Sequence, residues 1–175
     1  YNFDRDIHVE SDAAQDLAGS YDPDQPLYIF FDFNLTPMSV GVFQPKDASA
    51  YDGFHDRVLA QIDEFEGWQG GTREMCRTIA SEYDEHRAGG LISGDGTDTK
   101  SSASPDQSDW DIVKRELSRR MPMMKVQPGT YQANGSDTWT NPPSRDRINA
   151  GNWLLKDGHG NARCVFLDSD LQSGG

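Results

Sequence analysis

Two aspartates each come at the end of a short apolar run, a position that suits metal chemistry. Asp32 follows the run 27–31, and Asp95 follows the run 91–93 with a glycine on either side. A carboxylate at the end of a buried strand is costly to keep charged unless it is paired or binds a metal. On adjacent parallel strands the two carboxylates would repel one another unless a cation lay between them. The sequence therefore predicts a site with oxygen ligands for a divalent cation at Asp32 and Asp95.

Each aspartate taken alone also has a simpler interpretation. Asp32 is equally well explained as a residue that accepts hydrogen bonds from the turn after its strand. The Gly-Asp-Gly tripeptide at 94–96 is typical of an ordinary turn without function. The same glycines would leave room for a metal ion or a phosphate backbone to approach Asp95. The metal hypothesis thus depends on the fold bringing both aspartates to the same end of adjacent strands.

The segment around Asp32 predicts three successive strands. The unbroken apolar run 27–31 is typical of a strand that is buried on both faces. Pro37 fits the following turn, and the apolar pattern resumes as a second strand over 39–43. Alternation over 57–66 indicates a third strand, so we expect an antiparallel meander.

Helices and strands alternate after the meander. A helix that leads back to a strand of the same sheet is a crossover, so the strand before Asp95 should lie parallel to and beside the first strand. Residues 1–26 are polar and Asp-rich without a sustained period, and we expect an N-terminal arm or linker ahead of one domain over 27–175. The further predicted elements are a helix over 72–87 capped by Thr72, a strand over 91–93, a helix capped by Ser108 or Asp109 that ends at Arg120, a strand over 123–126, a helix opened by Pro142 and Pro143 with Ile148, Trp153, Leu154 and Leu155 on its buried side, and a last strand over 162–167.

Composition limits the classes of protein. The chain has 175 residues, 35% of them hydrophobic, which suits one domain with a real core. No apolar run reaches the roughly 18 residues of a membrane span, and no signal peptide opens the chain, so we expect a soluble protein. Cys76 and Cys164 are two lone cysteines without metal-ligand spacing, which argues against a disulfide framework and favours a reducing compartment. The four histidines are scattered, with no pair at helical ligand spacing, which argues against a zinc site. No phosphate-binding G-x-x-x-x-G-K-[ST] motif occurs, so we expect no ATPase activity.

The formal net charge of −13 is distributed unevenly. Residues 1–70 carry 14 acidic and 3 basic side chains, whereas residues 110–147 carry 4 and 7. The chain has 22 aspartates and 5 lysines, a bias that suits solubility in high salt. A strongly acidic protein is not an obvious nucleic-acid binder, so any binding of DNA must depend on the local basic stretch.

The order of predicted elements is that of a ribonuclease H-like α/β fold, a central mixed sheet of an antiparallel meander plus parallel strands flanked by helices. Four motifs in this order, LYIFFDFNLTPMSVGVFQ, GGLISGDGTDTKSS, SDWDIVKREL and NPPSRDRINAGNWLL, resemble the C-terminal nuclease domain of the large terminase subunit of tailed bacteriophages. The resemblance covers about residues 21–168. It implies a metal-dependent endonuclease that cuts concatemeric viral DNA during genome packaging in the host cell cytoplasm.

The resemblance also implies a site with two Mg²⁺ or Mn²⁺ ions held by acidic residues. Asp32 matches the first catalytic aspartate of the family and Asp95 matches the second. The His-x-x-Asp-Ala-like pattern that supplies the third ligand in the family is absent before the last residue of this chain. The candidate substitutes are Asp168 and Asp170, whose alternative is a solvated strand end, and, as weaker candidates, Glu64 and Glu66.

Basic side chains would hold the phosphates of double-stranded DNA in such an enzyme, although surface solvation and pairing with acids explain any single one of them equally well. The implied partners of the full-length protein are an ATPase domain, the small terminase and the portal. Two alternatives remain open, another ribonuclease H-like nuclease of the resolvase or transposase type and a catalytically silent module that docks onto a motor. The candidate DNA-binding residues are Lys100, Lys114, Arg115, Arg119, Arg145 and Arg147.

Overall fold

A computed structural model describes residues 2–33, 38–68, 71–94, 108–128, 131–132, 139–140 and 143–168. Within these ranges the chain forms five helices and eight strands. In chain order they are α1 (Arg5–His8), α2 (Asp12–Leu17), β1 (Leu27–Asp32), β2 (Met38–Asp47), β3 (Phe54–Trp68), α3 (Thr72–Glu82), β4 (Gly90–Gly94), α4 (Asp109–Arg120), β5 (Met124–Val126), β6 (Tyr131–Gln132), β7 (Trp139–Thr140), α5 (Ser144–Leu155) and β8 (Ala162–Val165).

Six of the strands form one mixed sheet in the order β5-β4-β1-β2-β3-β8, and β6 and β7 form a separate antiparallel pair. The pairs β1–β4, β4–β5 and β3–β8 are parallel. The three strands that are consecutive in sequence, β1, β2 and β3, are also neighbours in the sheet. The prediction of an α/β protein with a mixed sheet flanked by helices is therefore confirmed, as is the prediction that the strand before Asp95 pairs in parallel with the first strand.

The chain divides into two compact units. Unit 1 is drawn from residues 1–21, 43–63 and 143–175, and unit 2 from residues 22–42 and 64–142. No helix of the described chain is long and apolar enough to cross a membrane.

In unit 2 the apolar faces of α3 and α4 pack against each other and contribute to the core. Helix α3 buries Met75, Cys76 and Ile79, and α4 buries Val113 and Leu117. Thr72 Oγ1 donates a hydrogen bond to the carboxylate of Asp109, which joins the first turns of the two helices. This bond satisfies two buried polar groups that would otherwise destabilise the interior.

Helix α4 begins where its sequence predicts. The Ser108 hydroxyl accepts a hydrogen bond from the backbone N–H of Asp111 at 3.2 Å, and the Asp111 carboxylate accepts one from the backbone N–H of Ser108 at 3.2 Å. This reciprocal capping box satisfies two of the backbone donors that a helix leaves unpaired at its start. Helix α3 differs from its prediction, because Gly71 is the cap and the helix ends at Glu82 instead of Arg87.

In unit 1 the first 21 residues contribute to the core, in contrast to the expected arm or linker. Helix α2 packs Ala14 against a cluster that includes Val58, Ala60 and Val165. His8 of α1 is fully buried, and its Nε2 lies 3.0 Å from the backbone oxygen of Leu155. The sequence does not indicate these contacts, because helices of four and six residues are too short to show a helical period.

Helix α5 forms as predicted over Ser144–Leu155, but its predicted buried side is wrong. The exposed fractions are 45% for Ile148, 58% for Trp153 and 40% for Leu154. The guanidinium of Arg163 lies over the Trp153 ring at 3.7 Å from its centroid. A helical sequence pattern shows which side chains share a face, but whether another element covers that face depends on the rest of the chain.

Candidate metal and nucleic-acid site

Strand β1 ends in Asp32, and the side chains on either side of this residue fix its direction. The rings of Phe31 and Phe33 stack with centroids 5.3 Å apart, and both meet Trp110 edge to face at 6.2 and 5.1 Å. All three aromatic residues are buried. Because successive side chains of a strand point to opposite faces, the buried pair directs Asp32 to the other face, where it is exposed.

The exposure of Asp32 corrects the expectation that the first strand is buried on both faces. Leu27, Ile29 and Phe31 are buried, whereas Phe30 and Asp32 are exposed. The apolar run is continuous in sequence, but only one of its faces is fully covered toward its carboxyl end. The carboxylate of Asp32 is therefore accessible from solvent and not buried.

The parallel pairing of β1 and β4 aligns the two strand ends on which the metal hypothesis depends. Their register runs from Leu27 opposite Gly90 to Phe31 opposite Gly94. Asp32 directly follows Phe31, and Asp95 directly follows Gly94 in the sequence. Asp95 itself lies outside the described residues. The alignment of the strands up to these two positions is thus observed, and the meeting of the two carboxylates is a prediction.

Two glycines of β4 allow its backbone to approach β1 closely. A Cβ atom added at Gly90 would overlap the carbonyl oxygen of Leu27, and one added at Gly94 would overlap that of Phe31. Gly94 also has a φ of +153°, a conformation that side-chain-bearing residues rarely adopt. From the sequence, Gly94 is expected to leave space for a ligand next to Asp95. In the described structure this glycine makes room for the neighbouring strand.

Of the substitutes for a third acidic ligand, the structure describes the side chains of Asp168 and Glu64. Asp168 is in unit 1, where its Oδ1 accepts a hydrogen bond from Arg5 Nη2 at 3.3 Å. Glu64 lies half-buried in β3, and Glu66 lies in the same strand with its side chain outside the described part of the chain. Asp170 is also outside it. Among the residues that the structure describes, no group of three or more histidine, cysteine or acidic side chains is arranged to hold a metal ion.

The chemistry of Asp32 fits a hard divalent cation. Mg²⁺ and Mn²⁺ prefer carboxylate, carbonyl and water oxygens, and Asp32 presents an exposed carboxylate. The two cysteines are unsuited to this role. Burial raises the pKa of the Cys76 thiol to about 12, with a smaller contribution from the negative charges of Glu116 and Asp109. Burial alone raises the pKa of Cys164 to about 12, so both thiols stay protonated near neutral pH.

The predicted DNA-binding residues that the structure describes lie on two helices. Lys114, Arg115 and Arg119 are exposed on α4 in unit 2, and Arg145 is exposed on α5 in unit 1. Arg147 lies in α5 with its side chain outside the described part, and Lys100 lies outside the described residues.

The structure adds basic residues that the sequence analysis did not select. Arg73 and Arg77, one turn apart on α3, approach the buried carboxylate of Glu116 on α4. A signal was present in the sequence, because Glu116 sits within the apolar pattern of its helix and a buried carboxylate requires partners. The sequence did not indicate which partners these would be, because they come from another helix.

Comparisons of this chain with family models, with curated proteins and with solved structures returned no match.

Proposed function

We propose that this chain is a divalent-metal-dependent endonuclease that cleaves double-stranded DNA, with the ribonuclease H-like fold and the role of a large terminase nuclease domain. In that role it cuts viral DNA concatemers during packaging in the host cytoplasm, in a protein that also carries an ATPase domain and works with a small terminase and a portal. The observation that carries the proposal is the parallel register of β1 and β4, which runs to the residues immediately before Asp32 and Asp95.

The strand order supports the ribonuclease H-like part of the proposal. Three neighbouring strands that are consecutive in sequence, β1, β2 and β3, correspond to the expected meander. On the other side of β1 lie β4 and β5, each parallel to its neighbour. Helix α3 connects β3 to β4, and α4 connects β4 to β5, as the alternating part of this fold requires.

The proposed chemistry is hydrolysis of a phosphodiester bond. Bound Mg²⁺ or Mn²⁺ would supply a hydroxide nucleophile at neutral pH and would neutralise charge on the leaving oxygen. Asp32 would hold the cation through its exposed carboxylate, in a direction that the buried rings of Phe31 and Phe33 fix. Asp95 is the proposed second ligand. Because no base-reading element is implied, the cut should be largely independent of sequence.

The test measures relaxation of supercoiled plasmid by the purified chain. We expect nicking only when Mn²⁺ or Mg²⁺ is added, and we expect Asp32→Asn and Asp95→Asn each to slow it by roughly a hundredfold or more, because each removes a ligand charge. Asp47→Asn is the matched control, since Asp47 is also an exposed last residue of a strand. It should nick at the wild-type rate. Circular dichroism must show that all three variants are folded.

Three experimental outcomes would contradict this proposal and favour another. Asp95→Asn cutting at the wild-type rate would show that the site is wrong. A folded wild-type chain that never nicks plasmid with either cation would favour the silent docking module. Preference for a four-way junction over linear duplex would favour a resolvase-type nuclease.

A further inference from the structure

Four arginine side chains of the described chain surround a single buried carboxylate on α4. We call this group the Glu116 arginine cluster, and it consists of Glu116 with Arg73, Arg77, Arg115 and Arg120. The Glu116 side chain is 11% exposed, whereas the four arginine side chains are 49%, 58%, 46% and 35% exposed in the same order. The formal charge of the cluster is +3. It lies entirely within unit 2, on a protein whose net charge is −13.

The distances in the cluster leave the arginines only loosely engaged. Each approaches a Glu116 carboxylate oxygen through Nε, at 3.5 Å for Arg73, 4.0 Å for Arg77, 3.7 Å for Arg115 and 3.8 Å for Arg120. Ordinary N–H···O hydrogen bonds span about 2.7–3.2 Å. Each guanidinium group has five N–H donors and the carboxylate has only two oxygens. Most of the N–H groups of the four arginines therefore do not bond to Glu116.

Another arginine of unit 2 shows what a fully engaged pair looks like. Arg87 binds Asp24 through Nε and Nη2 with two parallel hydrogen bonds of 2.8 Å each. That pair is neutral and uses the planar fork of the guanidinium on one carboxylate. Both arrangements lie on the same acidic protein, but the Arg87–Asp24 pair has no formal net charge whereas the cluster has +3.

One acidic side chain of α3 lies near the cluster and one lies away from it. At about 100° per residue, Arg73 and Arg77 differ by about 40°, so they share one side of the helix. Glu82 falls about 180° from Arg73, whereas Glu74 falls about 100° from Arg73 and about 60° from Arg77. The two arginines border the buried seam between α3 and α4, and Glu74 offsets part of the charge of Arg77.

We propose that the Glu116 arginine cluster binds phosphates of the duplex DNA backbone, with the buried Glu116 carboxylate holding the four guanidinium groups together. The choice of DNA as the anion depends on the proposed function. A backbone phosphodiester presents two non-bridging oxygens that share one negative charge, and the planar guanidinium group can bind both oxygens at once. The cluster then supplies what the net charge of the protein lacks, a place where a polyanion is attracted to the domain.

The test measures duplex binding by fluorescence anisotropy in EDTA, so that no cleavage occurs. The variant is Arg73→Gln with Arg77→Gln, two exposed positions on one side of α3. We expect the slope of log K against log salt to fall by about two units, since each lost phosphate contact removes about one. The matched control is Arg87→Gln, which also removes an exposed arginine from unit 2 and should leave the slope unchanged.

A conservative variant separates charge from geometry. Arg73→Lys with Arg77→Lys keeps both charges but replaces the planar guanidinium groups, which can bind two oxygens at once, with single ammonium groups. This variant should retain most of the salt dependence while binding duplex more weakly than wild type. An equal loss in Arg87→Gln, or wild-type binding by the double glutamine variant, would overturn the proposal. Competition in which polyglutamate displaces the duplex at equal concentration would assign the cluster to an acidic protein partner instead and would also overturn it.

Failure of this proposal is distinguishable from failure of the proposed function. Binding in EDTA does not depend on Asp32 or on a metal ion. A chain that binds duplex through the cluster but never nicks plasmid would contradict only the nuclease activity. A chain that nicks plasmid in an Asp32-dependent way, with unchanged binding in the arginine variant, would contradict only the cluster.

Discussion

Asp32 and Glu116 are two carboxylates of the same unit with opposite surroundings. Asp32 is exposed at a strand end, and the sequence places a second aspartate after the neighbouring strand. Glu116 is buried on a helix and lies within 4.0 Å of four arginines. A cation should therefore be attracted to the first and an anion to the second. The net charge of the chain predicts neither, because local arrangement determines the potential at short range.

The largest effect that separates the two carboxylates concerns stabilisation by a metal ion. In wild type, millimolar Mn²⁺ should raise the melting temperature, because a ligand of the folded state contributes about 2.7 kcal/mol at a hundredfold excess over Kd. Asp32→Asn should lose most of this gain, whereas Glu116→Gln should keep it. Differential scanning fluorimetry with and without Mn²⁺ measures the difference.

Monovalent salt at matched ionic strength is the control for this experiment, since an Asp-rich surface is itself stabilised by screening. Equal Mn²⁺ shifts in wild type and Asp32→Asn would mean that the ion acts on the acidic surface as a whole. The simpler interpretation would then hold, in which Asp32 only accepts hydrogen bonds from the turn after its strand.

An intermediate effect concerns stability without metal. Glu116→Gln should lower the free energy of unfolding by about 1 kcal/mol, because four guanidinium groups would lose their shared counter-charge while remaining about half exposed and screened by solvent. Asp32→Asn should leave the metal-free domain as stable as wild type or more stable, since it removes an exposed charge near another predicted carboxylate. Urea denaturation at low salt measures both.

The control for the Glu116 variant is Glu74→Gln, at an exposed position in the first turn of α3. A surface substitution of this kind should change stability by less than about 0.5 kcal/mol. Glu116→Gln as stable as Glu74→Gln would show that the cluster does not depend on its central carboxylate.

The smallest effect concerns Asp24, a carboxylate with one arginine instead of four. The hydrogen bonds from Arg87 hold the pKa of Asp24 below its ordinary value of 3.8. A lowered folded pKa means that the pair stabilises the folded state fully above pH 3.8 and that this contribution disappears as pH falls through the folded pKa. The stability difference between wild type and Asp24→Asn should therefore shrink from about pH 5 to pH 2. A difference that stays constant over this range would contradict the pairing.

The sequence by itself determined the features that depend on neighbouring residues. The helix cap predicted at Ser108 or Asp109 forms at Ser108, because a cap depends only on residues within the first turn of its helix. The crossover from β3 through α3 predicts a parallel partner for β1, because a helix between two strands of one sheet returns the chain in the same direction. The positions of Asp32 and Gly94 at strand ends follow from the same local patterns.

Only the tertiary structure decided which faces are covered and which charges meet. The run 27–31 is continuous in sequence, yet Phe30 is 37% exposed, because coverage of a strand face depends on elements far away in the chain. The same reason explains the exposed Trp153 of α5 and the buried His8 of α1. Arg73 and Glu116 are 43 residues apart in the numbering, and no local pattern pairs them. Their contact exists because α3 and α4 bury their apolar faces against each other, and the charges at the border of that seam are brought together by the packing.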